Sequence, residues 1–256
     1  MTTKAFRREI ASLSTPKGRK NHGAFLAEGT KCVLDTIEYF NVRYVIATKT
    51  WLEVNRLPAF LMDKVVHADR GELGEMSSMS LTPDVIAVYD IPQEISLEEI
   101  NPDGALIIAL DRIQDPGNLG TIMRTADWMG VSTILASSDT VDCYNPKVVQ
   151  ATMGAISRVR VVYGNLQDMF AEICQNKQIP IYGTFLDGEN IYTASLSAEG
   201  IIVMGNEGKG ISDAIESCVT KRLFIPPFPR GHATSESLNV AAATAIVLSQ
   251  FRSRMN

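Results

Sequence analysis

The sequence predicts an α/β protein of two domains, and three observations carry that prediction. Short apolar runs of strand character alternate with helical patterns along most of the chain. After residue 104 these runs are apolar throughout, as strands buried on both faces of a parallel sheet are. Between the two sets lies DIPQEISLEEINPDG, residues 90 to 104, with two Pro, five acidic residues and a closing Gly. That composition reads as a linker, so domains are expected over residues 1–100 and 104–256.

The first domain is read as strands AFLAE (24–28), VRYVIAT (42–48), KVVHA (64–68) and DVIAVY (84–89), with helices near 29–40, 49–56 and 70–76. The second has GALIIALD (104–111), VSTILAS (131–137), RVRVVYG (158–164), IPIYGTF (179–185), GIIVMGN (200–206) and KRLFIP (221–226). Helical patterns fall near 119–130, 145–153, 165–176, 211–217 and 237–253. No repeat or low-complexity tract interrupts them.

Composition narrows the class. The 256 residues are 45% apolar, ordinary for a packed core. No stretch approaches the roughly 18 apolar residues of a membrane span, and the N-terminus lacks a signal-like apolar run. A soluble, cytoplasmic protein without membrane contact is expected. Cys32, Cys143, Cys174 and Cys218 form no C-x-x-C pair and have no His at zinc spacing, so reduced structural thiols and no metal site are expected. The net charge of −5 argues against unspecific coating of nucleic acid. Its distribution says more. Residues 1 to 31 hold Lys4, Arg7, Arg8, Lys17, Arg19, Lys20 and Lys31 against Glu9 and Glu28, while the other 225 residues sum to −10. A basic arm on an acidic body fits local contact with RNA or DNA; a solvated charged helix fits it as well.

In open α/β sheets ligands sit beyond the carboxyl ends of the strands, which directs attention to three loops. DRIQDPGNLGTIMRTADWMG follows the strand GALIIALD; its Pro and Gly serve a turn, and a helix starting near Leu119 has Asn118 as its cap, with Arg124 about one and a half turns on. An Arg beside a turn is also commonly a plain surface residue. GNEGKGIS, residues 205 to 212, follows GIIVMGN; its glycines let the backbone approach a ligand. It matches neither a phosphate-binding G-x-x-x-x-G-K-[ST] nor G-x-G-x-x-G, which weighs against a nucleotide triphosphatase, and Glu207 suits a cationic or polar ligand better than a phosphate. A tight strand-to-helix turn explains it equally. KRLFIPPFPRGHATSESLNV carries a lone His232, read as exposed, and leads into a helix whose Ala241, Ala242, Ala243 and Ala245 serve either core packing or a protomer interface.

Together, DPGNLGTIMRTADWMGV, IVMGNEGKGIS and LFIPPFPRGHATSESLNVAAATAIVLSQF resemble the three ordered motifs of the SpoU (TrmH-like) RNA ribose methyltransferases of the SPOUT superfamily. GAFLAEGTKCVLDTI and the strand after it resemble the substrate-binding domain that many members carry, itself similar to ribosomal RNA-binding proteins. The resemblance spans essentially the whole chain. It implies a C-terminal domain with a deep trefoil knot, S-adenosylmethionine as methyl donor, a ribose 2′-hydroxyl of RNA as acceptor, and a homodimer formed through the C-terminal domain. Ribosomal RNA is favoured over transfer RNA because of the front domain; the alternatives are a transfer RNA methyltransferase and a non-catalytic RNA-binding protein that keeps the fold.

Carried over by position, the resemblance implies catalytic roles for Asn118, Arg124, Glu207, Ser237 and Asn239. It implies cofactor contacts for Thr184, Gly205, Asn206, Gly208, Ile225, Ser237 and Leu238. Two departures stand out: Gln150 where an Arg is common, and a longer stretch between Pro226 and Ser237. The family assigns Arg124 the role of base, activated by an RNA phosphate. A guanidinium is practically never deprotonated, so Arg124 is read instead as a clamp on phosphate and developing oxyanion, with Asn118 and Asn239 fixing the ribose.

Overall fold

The computed structural model describes residues 2–175, 177–229 and 237–253. The chain divides into two compact units, Met1–Gln93 with Asp142–Ser157, and Glu94–Val141 with Arg158–Asn256. The first unit thus gains a segment that the sequence reading placed in the C-terminal domain. His232, Thr234, Ser235 and Glu236 lie outside the described residues.

The basic arm forms two helices, α1 (Lys4–Ser12) and α2 (Pro16–His22). Thr3 and Thr15 cap them through their hydroxyls, Pro16 occupies the first turn of α2, and Gly23 ends it at φ 57°. Then follow β1 (Ala24–Glu28), α3 (Thr30–Thr36), β2 (Val42–Ala47), α4 (Lys49–Val54), β3 (Val65–His67), α5 (Arg70–Met76) and β4 (Val85–Asp90). Their sheet has the order β1-β4-β2-β3; β4 runs antiparallel to both neighbours, and β2 and β3 are parallel. One face packs Ile10 of α1 and Leu13 just after it against Leu26, Ile46, Leu73 and Ile86. Arg19 is buried in this unit, donating to Asp142 at 2.7 Å and to the carbonyls of Leu13 and Ser14.

The second unit begins with β5 (Leu106–Leu110), α6 (Pro116–Trp128) and β6 (Thr133–Ser137). Helix α7 (Pro146–Ala151) belongs to the first unit, and the ring of Tyr144 ahead of it packs at a tilt of 42° against Phe25 of β1, centroids 4.7 Å apart. The chain continues through β7 (Arg160–Gly164), α8 (Leu166–Ile173), β8 (Ile181–Asn190), β9 (Gly200–Met204), α9 (Asp213–Glu216), β10 (Lys221–Phe224) and α10 (Val240–Ser253). The sheet order is β10-β8-β9-β5-β6-β7, and every pairing is parallel, as the continuous apolar strands predict. β5 and β9 are buried at all five positions.

Three differences from the sequence reading bear on the site. Helix α6 starts at Pro116 because Asp115 accepts the amide of Asn118 at 2.7 Å, so Asp115 is the cap and Asn118 lies in the first turn. Strand β8 runs on to Asn190, because its pairing with β10 resumes at Glu189 opposite Leu223 after Thr184–Gly188 has left the ladder. Helix α10 begins three residues later than expected, at Val240, with Asn239 as its cap.

Candidate active site at the carboxyl edge of the parallel sheet

Because the second sheet is parallel, the carboxyl ends of its strands share one edge. Ile225 directly follows β10, Thr184 leaves the ladder in β8, Gly205 directly follows β9, and the loop to Asn118 follows β5. These are four neighbouring strands in the sheet. Residues as far apart in sequence as Asn118 and Ile225 therefore lie along one edge.

The loop after β9 is held by its own backbone. Asn206 and Gly210 exchange two hydrogen bonds at 3.0 and 2.9 Å, and the Asn206 side-chain oxygen accepts the amides of Gly208 and Lys209 at 3.0 Å. A Cβ on Gly205 would lie 2.3 Å from the carbonyl carbon of Gly210, so only glycine lets the loop close. Gly210 adopts φ 69°. Asp111, at 3% exposure, accepts the Ser212 amide at 2.6 Å and ties the far end of the loop to β5.

Three polar side chains then form a continuous relay. The Asn239 amide donates to Asn118 Oδ1 at 2.9 Å, and Asn118 Nδ2 donates to Glu207 Oε1 at 2.9 Å. Asn239 Oδ1 meanwhile accepts the amides of Ala241 and Ala242. Each amide orientation is thereby fixed, because the oxygen of each asparagine is already committed to a donor. Helices α6 and α10 and the loop after β9 all contribute to this one cluster.

The SpoU rRNA Methylase family pattern matches residues 105–249. The chain belongs to this family. It is 29% identical to the 23S rRNA guanosine-2′-O-methyltransferase RlmP of Bacillus subtilis, over 94% of this chain and 93% of that one. A solved structure of a TrmH-family protein from Porphyromonas gingivalis shares 36% identity and a TM-score of 0.88, each chain covered to 99%. The rRNA methyltransferase of Sinorhizobium meliloti, solved with AdoMet bound, shares 26% identity and a TM-score of 0.87, covering 100% of this chain and 98% of that one.

With the SpoU motifs in place, the implied residues sort by geometry. Asn118, Glu207 and Asn239 are joined by hydrogen bonds. Asn206 builds the loop, and its side-chain amide also donates to the carbonyl of Arg112 at 2.7 Å. Gly208 is exposed beside it, and Thr184 Oγ1 lies 4.0 Å from the sulfur of Met204. Ile225 is half-buried and Leu238 is 50% exposed, so each offers apolar surface at the edge. Ser237 is exposed, and its hydroxyl makes no hydrogen bond among the described residues; the cap is Asn239.

Arg124 is not part of the relay. It lies six residues beyond Asn118, about 120° around the helix, and shares an exposed stripe with Thr121 and Trp128. Its guanidinium has no hydrogen-bond or ionic partner among the described residues, which leaves it available to an anion. The alanine stripe also divides, with Ala241 buried, Ala242 exposed, and Ala243 and Ala245 half-buried.

Two site-building residues escaped the sequence reading. Asp111 anchors the loop after β9, and Arg112, at φ 60°, turns the chain from β5 towards the Asp115 cap. An acid closing the otherwise apolar run GALIIALD is the signal that marks Asp111. Among the described residues no group of three or more His, Cys, Asp or Glu is placed to hold a metal ion, none of the four cysteines is in a disulfide, and no helix is long and apolar enough to cross a membrane.

Proposed function

We propose that the protein transfers a methyl group from S-adenosylmethionine to a ribose 2′-hydroxyl of RNA, with ribosomal RNA as the substrate. The observation that carries this is the Asn239–Asn118–Glu207 relay at the carboxyl edge of a parallel sheet, in a chain of the SpoU family. The residues fit the cofactor. Exposed Glu207 suits a cationic ligand, while Ile225 and Leu238 offer the apolar surface an adenine needs. Thr184, Gly205, Asn206 and Gly208 supply backbone and hydroxyl groups along the same edge, and Ser237 adds a hydroxyl.

S-adenosylmethionine supplies an electrophilic methyl on a sulfonium, so the protein's main task is alignment. Good orientation contributes roughly 7 to 11 kcal/mol in well-placed systems. Asn118 and Asn239 each retain a second amide proton beyond the relay, and these protons orient the ribose oxygens. Arg124 stays charged and holds the RNA phosphate and the oxyanion that develops as the hydroxyl loses its proton.

The strand order, with β9 between β8 and β5 and α10 returning onto α6 through Arg252 to the carbonyls of Met129 and Gly130, supports a knotted C-terminal segment. A homodimer formed through this unit belongs to the same reading, and Trp128, 87% exposed on α6, is the residue chosen to test it. The front domain of residues 1–100 serves RNA binding and residues 104–256 methyl transfer, in the cytoplasm.

Calorimetry with S-adenosylmethionine and mapping of ribose methylation in total RNA, with and without the protein, test the reading. Binding and the loss of one ribosomal methyl mark are expected. A mark lost from transfer RNA overturns the substrate class, and absence of cofactor binding overturns the methyltransferase reading in favour of a non-catalytic RNA-binding protein. Sedimentation of a Trp128→Glu variant tests the dimer, which should fall to a monomer.

A further inference from the structure

The seven cations of residues 1 to 31 are not equivalent in the fold. Arg7 bonds Glu72 at 3.2 Å and Glu75 at 2.8 Å, Arg19 is buried on Asp142, and Lys31 bonds Asp35 at 2.8 Å. These three are neutralised within the first unit. Lys4, Arg8, Lys17 and Lys20 are exposed, and their side chains have no hydrogen-bond or ionic partner among the described residues.

Their placement is regular. Lys4 and Arg8 are one turn apart on α1, about 6 Å along its axis, and Lys17 and Lys20 share one face of α2. The apolar residues of α1, and Leu13 just after it, point the other way: Phe6 packs edge-on against Tyr44 at 5.2 Å, and Ile10 and Leu13 are 1% exposed. A lipid surface needs an exposed apolar face, which α1 therefore lacks. Buried Arg19, donating to the carbonyls of Leu13 and Ser14, fixes the turn between the helices and so the relative placement of the two cation pairs.

We infer that Lys4, Arg8, Lys17 and Lys20, the exposed cations of α1 and α2 without an acidic partner among the described residues, contact RNA phosphates. The inference rests on the RNA-substrate reading above and says which residues of the arm touch the nucleic acid. Phosphate contacts carry affinity rather than sequence information, so these cations hold the RNA while selection of the nucleotide happens elsewhere.

Filter binding of extracted large-subunit ribosomal RNA between 50 and 200 mM salt provides the test, comparing the full-length protein with a variant carrying Lys4→Gln, Arg8→Gln, Lys17→Gln and Lys20→Gln. Each phosphate contact adds about 0.7 to the logarithmic salt slope for single strands and about 0.9 for duplex. The slope should therefore become shallower by about 3, and the wild type should lose about 50-fold more affinity than the variant across that range. The Lys17→Gln, Lys20→Gln pair should give half the change. Lys31→Gln, whose charge is already neutralised, should leave the slope unchanged. Equal slopes in wild type and quadruple variant, with melting curves superimposed, overturn the inference. Calorimetry of the wild type with S-adenosylmethionine separates the two claims: failure to bind breaks the methyltransferase reading and leaves the slope comparison standing.

Discussion

In the first sheet β4 runs against both neighbours, whereas every pair in the second sheet is parallel. Each sheet contains strands buried almost throughout, β1 and β4 in the first and β5 and β9 in the second, so apolar content does not distinguish them. Direction does. A mixed sheet sends its strand ends to both edges, and the polar ties of the first unit hold its own elements together: Arg19 to Asp142, Glu28 to Ser77 and Ser78, Arg7 to Glu72. A parallel sheet gathers all carboxyl ends on one edge, where Asn118, Glu207 and Asn239 meet. The cluster thus belongs to the unit whose topology concentrates loops.

The sharpest way to break this contrast is Asn118→Ala, which removes the middle of the relay. Turnover should fall about 10²–10³-fold, as on loss of one preorganised donor, with the melting curve unchanged. A retained rate in single-turnover methylation moves the chemistry away from the parallel edge.

Asp142→Ala addresses the opposite unit. It leaves Arg19, at 2% side-chain exposure, without its counter-ion, and should cost about 3 kcal/mol in urea unfolding. The figure is at the low end because Asp142 itself is 37% exposed and partly screened. Affinity for S-adenosylmethionine should not change; a matching loss of cofactor binding erases the distinction between the units.

A smaller pair of effects separates structure from chemistry within the relay. Asn239→Ala removes the α10 cap and should cost about 1 kcal/mol, whereas Asn239→Ser keeps a capping oxygen and should restore most of it. Neither supplies the amide that reaches Asn118, so turnover should stay low in both. Recovery of activity in the Ser variant reduces Asn239 to a cap.

The smallest effect is acid sensitivity, expected of both units alike. Hydrogen bonds from Arg222 and Lys177 hold Asp187 and Glu199 below the usual carboxylate range, and Arg70 does the same for Asp84. A carboxylate with a lowered folded-state pKa contributes stability above its unfolded pKa and loses it as the pH falls through the folded one. Melting temperature should therefore be flat from pH 8 to 5 and begin to fall only below about pH 4. A fall centred near neutrality points to a different titrating group.

The sequence by itself determined the α/β class, the parallel second sheet and the three chemical loops, because continuous apolar strands and Gly/Pro-rich turns are local signals. It marked Asn118, Glu207 and Asn239 as separate motif positions. Only the tertiary structure decided that they bond to one another, since the relay spans 121 residues of chain and depends on which strands are neighbours. It also decided that Asp115 caps α6, freeing the Asn118 side chain, and that Arg124 stands apart on the outward face. The basic arm shows the same division. Composition counted seven cations, but burial and partner geometry selected four, because an acid's distance in space is not legible from its distance in sequence.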